Sequence, residues 1–174
     1  MANAITAANE TARLPLGQAL YAYGQTLGTE HPDYVESASE GMASLCFTVQ
    51  GDPWVLKAYV QSDEADRELA VILVTPFEVA DEHLDAAYRL AGLINAEQRV
   101  PGTLLLVGGR FQLTQRLHLA QLALDPALID SMLGPLCALF HHWADELDAL
   151  AEGVSSADAL YAAGSARPFH EGHF

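Results

Sequence analysis

The chain reads as an α+β fold with the element order α-β-β-β-α-β-β-α, and three observations predict it. The stretch from Val100 to Leu150 reads as a tight β-hairpin followed by one long helix. Apolar and polar residues alternate on both sides of Gly51-Asp52, which marks an earlier hairpin. Before the first hairpin, and again between the two, the apolar period changes to that of an amphipathic helix.

Leu16, Leu20, Tyr23 and Leu27 recur at i, i+4, i+7 and i+11, so they share one helical face. Pro15 can open that helix and Gly28 can end it. Glu30 to Gly41 is polar, contains Pro32 and reads mostly as loop, with a short strand around Tyr34. Leu45, Phe47 and Val49 then alternate with Ser44, Cys46 and Thr48. After the turn, Trp54, Leu56, Ala58 and Val60 alternate with Val55, Lys57 and Tyr59. Pro53 stands first in that strand, a position where it costs no ladder bond.

The acidic connection Ser62 to Glu68 reads as a loop. Leu69 to Val74 is continuously apolar, the pattern of a strand covered on both faces, and Pro76 closes it. Asp81 is the expected N-cap of a helix marked by Leu84, Ala87, Tyr88, Ala91 and Ile94. This helix stops near Asn95 to Gln98, before Pro101.

The closing hairpin turns on Gly108-Gly109, with Phe111, Leu113, Leu117 and Leu119 set against Gln112, Thr114, Arg116 and His118. Asp125-Pro126 supplies an N-cap and a first-turn proline for the long helix. Pro135 lies inside it and removes the bond to the Ser131 carbonyl, so a kink near Gly134 or two consecutive helices is expected, at ~3 kcal/mol. The helix carries two apolar faces, one through Leu128, Met132, Leu136, Leu139 and Trp143, the other through Ile129, Leu133, Phe140 and Ala144. One face can lie on the sheet. The other needs a cover, because monomers rarely expose apolar patches above a few hundred Å². Leu136, Leu139, Phe140, Trp143 and Leu147 are therefore the expected partner or dimer surface.

The division expected is a loose leader over 1–12, one domain over 13–152 and a tail over 153–174. Gly, Ser and Ala dominate the tail, and its spaced Leu160, Tyr161, Phe169 and Phe174 can pack back on the domain or on a second copy.

Composition narrows the function classes. With 51% hydrophobic and 18% charged residues in 174, the chain has the profile of a folded globule. No apolar run approaches the ~18 residues of a membrane span. Met1 to Ala12 has no basic residue and contains Glu10, unlike a signal peptide, so a cytoplasmic location with no membrane contact is expected. Cys46 and Cys137 stand far apart among apolar neighbours and read as buried, reduced thiols.

Charge is the strongest compositional signal. Twenty-three acidic residues against eight basic ones give a formal net charge of −15, and Lys57 is the only lysine. A field of that sign repels phosphate and argues against direct nucleic-acid binding. Asp145, Glu146, Asp148 and Glu152 crowd the negative end of the long helix with no cation among them, a local cost of ~0.3–1 kcal/mol each. Solubility accounts for them adequately; a basic partner docking there is the second explanation.

No Gly-rich phosphate loop, GxGxxG or GxSxG motif occurs. His141 and Asp145 stand four apart, as do His142 and Glu146, a spacing that some helical metal sites use. Ion pairing on a solvated face is the simpler account, and His170, Glu171 and His173 of the tail are a similar coincidence. No catalytic, cofactor-binding or metal residue is assigned and no cofactor is expected; a metal-dependent enzyme using the helix histidines is kept as a third alternative. Core packing is the default for Trp54, Phe140 and Trp143.

Leu93-Ile94-Asn95, then Val100-Pro101-Gly102-Thr103-Leu104, the Gly-Gly hairpin with Phe111 and Leu113, and the closing amphipathic helix resemble the YbjN-like family. Those are bacterial proteins described as sensory transduction regulators, with the fold of the class I chaperones of type III secretion: an antiparallel sheet with helices in this same order. The resemblance spans about residues 14 to 152 and is sharpest over Leu93 to Leu119; Pro135 and the tail depart from it. It implies a small acidic homodimer that binds another, unidentified protein and carries no catalytic residues. The expectation is a non-enzymatic adaptor or regulator acting through its sheet and long-helix surfaces. A type III secretion-type chaperone for an effector protein is the alternative.

Overall fold

The structure, a computed structural model, describes residues 14–27, 32–50, 53–97, 101–121 and 123–169. Helix α1 (Pro15–Thr26) precedes strands β1 (Asp33–Ser37), β2 (Met42–Gln50), β3 (Val55–Asp63) and β4 (Glu68–Glu78). A 3₁₀ turn (Asp81–His83) leads into α2 (Leu84–Glu97), then β5 (Thr103–Val107), β6 (Arg110–His118), α3 (Pro126–Ala151) and α4 (Ala157–Ser165). The six strands form one sheet in the order β1-β2-β3-β4-β6-β5, every neighbouring pair antiparallel. The α+β class stands, with four strands ahead of α2 and a fourth helix at the end.

The additional early strand is β1, the short strand expected around Tyr34 in a stretch that otherwise reads as loop. Its Tyr34 and Glu36 face α1, which lacks a capping side chain of its own at Leu14. Glu36 accepts from the Leu14 N–H at 2.9 Å, and Glu64 accepts from the Leu16 N–H. One carboxylate from β1 and one from the β3–β4 turn thus satisfy donors at the α1 N-terminus, where negative charge is also favoured. Part of the acidic connection therefore serves the fold instead of only facing solvent.

Among the described residues, helices cover one face of the sheet only. α1 lies on β2 and β3, α3 on β4 and β6, α2 on β5, and α4 packs outside against α2 and α3. The face beneath them carries Leu45, Val60, Val71, Leu73, Leu113 and Leu104, all buried in a single core. This corrects the reading of Leu69 to Val74 as covered on both sides: Leu69, Val71 and Leu73 are buried, whereas Ile72 and Val74 are half-buried and point away from the helices. The strand is apolar on both faces, but only one has a layer over it. It also continues through Pro76, which falls beyond the last β3-paired residue and within an irregularity facing β6, where a missing N–H breaks no ladder bond.

Gly108 and Gly109, both at positive φ (56° and 74°), turn β5 into β6 with Val107 opposite Arg110, as a two-residue hairpin loop requires. Asp125 caps α3, its side chain accepting from the Ala127 N–H at 2.9 Å. Asp81 does not cap α2; it opens the 3₁₀ turn, which has no side-chain cap. α3 runs unbroken through Pro135 for 26 residues, so the expectation of two helices fails. The leader over 1–12, Gly28 and Gly51-Asp52 lie outside the described residues.

Candidate interaction surface

The α3 stripe expected to meet a partner is interior. Leu136 and Phe140 are 0% exposed, Trp143 and Leu147 1%, and Leu139 6%, all within this single chain. Phe140 stacks on Phe77 with ring centroids 6.1 Å apart, and Phe77 meets Trp54 edge-on at 4.7 Å. On the other side Tyr161 of α4 lies parallel to Trp143 at 5.8 Å, and a Cβ at Gly164 would come within 2.1 Å of the same indole. The missing Cβ is what lets the α4 backbone approach the ring. The width of the stripe therefore measures two intramolecular neighbours, sheet and α4. The tail hides that helix under an Ala-rich composition, although Ser156 as its cap and the Leu160–Gly164 spacing are visible in the sequence.

The cation missing from the α3 terminus also comes from the tail. Arg167 pairs with the buried Glu146, lies 3.7 Å from Asp145, and donates to the His142 carbonyl. This supplies internally what a basic partner was invoked to supply. His142 packs its ring near Trp143 and Phe169, at 5.2 Å from each. Among the described residues no three His, Cys, Asp or Glu side chains form a group that could hold a metal ion. His170, Glu171, His173 and Phe174 lie outside the described residues.

What the described residues leave uncovered is the second face of the sheet. Strand register puts Asp33, Cys46, Tyr59, Ile72, Thr114 and Thr103 in one row across it. The next row runs Thr48, Lys57, Val74, Gln112 and Leu105. An antiparallel sheet with one solvated face normally makes that face polar. This one is mixed, with aliphatic side chains set among its polar and charged ones. Of the six large apolar side chains that stand exposed among the described residues, four (Val35, Val55, Leu105 and Val107) lie on it, around half-buried Ile72 and Val74.

Its charges are largely paired. Arg116 meets Glu68 at 2.7 Å and Arg110 meets Glu78 at 3.0 Å across the β4–β6 ladder. Cys46 is half-buried here beside Tyr59, its partner in the ladder, whose phenol is pushed up by burial and then by the neighbouring thiol. Cys137, by contrast, is buried in α3, and desolvation raises its thiol to about 11. One of the two cysteines is the inert core thiol expected; the other sits at the open face.

What the face has is area, apolar side chains and exposed polar atoms, the elements of a docking surface. No helix among the described residues is long and apolar enough to cross a membrane. No family model matches the chain, and no curated protein sequence matches it.

Proposed function

We propose that this chain is a non-enzymatic, cytoplasmic protein-binding adaptor or regulator that docks through the open face of its sheet. The observation that carries the reading is the one-sided helical cover, which leaves Ile72, Val74 and four exposed aliphatic side chains on the other face. The acidic composition and the likeness of the Leu93 to Leu119 segment to YbjN-like proteins support the same class of function. A homodimer remains part of the proposal, seated on the sheet in place of α3.

Val74→Lys puts a charge at the middle of the face without touching the core. Wild-type protein should retain a specific protein partner that Val74→Lys releases, with thermal unfolding of the two matched within a few degrees. Equal retention by both would overturn the reading.

A further inference from the structure

We infer that the last helix is a removable cover: α4 and Arg167 occupy, as an intramolecular ligand, a groove on α2 and α3 that takes an amphipathic helix of another protein. The anchors of the cover give the chemistry that the groove recognises. Asp158 accepts from Nε and Nη2 of Arg89 on α2, at 2.9 and 2.7 Å. Tyr161 lies parallel to the Trp143 indole, and Gly164 lets the backbone reach the same ring. Arg167 pairs with Glu146 and donates to the His142 carbonyl. Asp158, Tyr161 and Gly164 stand three apart on α4, a ridge of the kind that packs into a helical groove. Arg167 follows at the same interval, in the turn that closes the helix on the Gly164 carbonyl. The ligand is thus an acid, an aromatic, a glycine and an arginine at i, i+3, i+6 and i+9. Arginine is the demanding position. Glu146 is the only buried charged side chain among the described residues, and a buried carboxylate is satisfied by a partner that brings the opposite charge.

The same anchors make the cover removable. α4 packs outside α2 and α3, and the sheet is complete without it. The link from Glu152 to Ser156 is exposed at every residue, so lifting the helix uncovers little else. At 9 residues, α4 is shorter than the ~12–15 that an isolated helix needs, so it is helical only while docked. Its buried residues are Ala157, Leu160 and Gly164. The ion pair to α2 joins side chains 60% and 62% exposed, a kind of pair that holds weakly. The covered ring is not fully satisfied either, because its N–H is buried with no acceptor among the described residues. What keeps the groove closed is the short tether, which gives α4 an effective concentration on the order of millimolar. A foreign helix therefore binds in proportion to the fraction of chains whose cover is lifted.

Fluorescence polarisation of a labelled host helix tests this, with the full chain as receptor. The probe carries Asp, Tyr, Gly and Arg at the four positions on an alanine–glutamine background; its control holds the same residues scrambled. Asp158→Lys and Gly164→Ala loosen the cover at separate anchors and leave Arg89, Trp143 and Glu146 in place. Each should bind the probe about tenfold or more tightly than wild type does, and the scrambled helix should bind both variants about tenfold more weakly than the probe. Arg89→Glu should reverse the first anchor, so that a probe with Lys in place of Asp binds it better than the original. Equal binding of the probe to wild type and both loosened chains overturns the inference. So does a scrambled helix that binds as well, or an Arg89→Glu chain that still prefers Asp. Asp158 is exposed, so Asp158→Lys keeps the test decisive where Gly164→Ala lowers the melting temperature. Val74→Lys should leave probe binding unchanged; its loss there would move the site to the open sheet face and refute the groove.

Discussion

Asn95 holds Leu104 by both of its backbone groups: its Nδ2 donates to the carbonyl at 2.8 Å and its Oδ1 accepts from the N–H at 2.7 Å. β5 pairs only with β6, so its other side is a sheet edge. The carboxamide at the end of α2 sits where the next strand's backbone would be and satisfies the pair that such a strand would bind. Unprotected edges template unwanted pairing, and this is one way to close one. It also gives a physical meaning to the asparagine that ends a helix shortly before a Gly-containing strand.

Asn95→Ala should therefore lower stability by about 1–3 kcal/mol, the cost of leaving two part-buried backbone groups unsatisfied. It should also raise light scattering at a fixed degree of folding, because the edge is opened. Asn95→Asp keeps only the acceptor and should fall between the two in urea midpoint.

The cover over Trp143 is tested at Gly164. A methyl group there collides with the indole, so Gly164→Ala should cost about 1–3 kcal/mol and loosen α4. Hydrogen exchange over 157–165 should accelerate and tryptophan emission should shift to the red. Trp143→Ala, on the same argument, costs about 3–5 kcal/mol of fold stability and does not act directly on assembly.

Arg167 is the only cation paired with Glu146 among the described residues. Arg167→Ala leaves that carboxylate buried without its partner and should cost about 1–3 kcal/mol, reduced from a fully buried pair because the arginine is 41% exposed. Adding Glu146→Leu should restore most of the loss. Urea unfolding of wild type, single and double variants reads the coupling, and strict additivity would refute it.

The thiol of Cys137 is raised by burial from 9.0 to about 11. Its stabilising contribution is present in full below pH 9 and is lost as pH rises towards 11, because the unfolded chain ionises first. The effect is at most about 3 kcal/mol. Cys137→Ala should show a shallower loss of stability over that interval; parallel curves for the two proteins would contradict the assignment.

Much of the architecture is legible in the sequence because it is written in local periodicity. The Gly108-Gly109 turn, the alternation of β2, β3 and β6, and Asp125 before Pro126 are each decided by residues next to one another. What escapes is decided at a distance. β1 is foreshadowed only as a short strand around Tyr34; its full extent is set by pairing with β2 and by Glu36 reaching α1. α4 is short and Ala-rich, and what fixes it is a ring on α3. The apolar width of α3 is readable, but whether a second chain or the same one covers it is not a local property. The open sheet face is hidden by the unbroken apolar run Leu69 to Val74, which predicts cover on both sides; that the described helices all lie on the other side is not a local property.

Native-state alkylation of the two thiols, followed by mass spectrometry across protein concentration, probes both faces at once. Cys46 on the open sheet should react in dilute protein and slow as concentration passes through the association range, while Cys137 within α3 stays unmodified until the chain unfolds. Modification of Cys137 as fast as Cys46, or a Cys46 rate that stays constant while light scattering reports dimer, would contradict a buried helix stripe and an occupied sheet face.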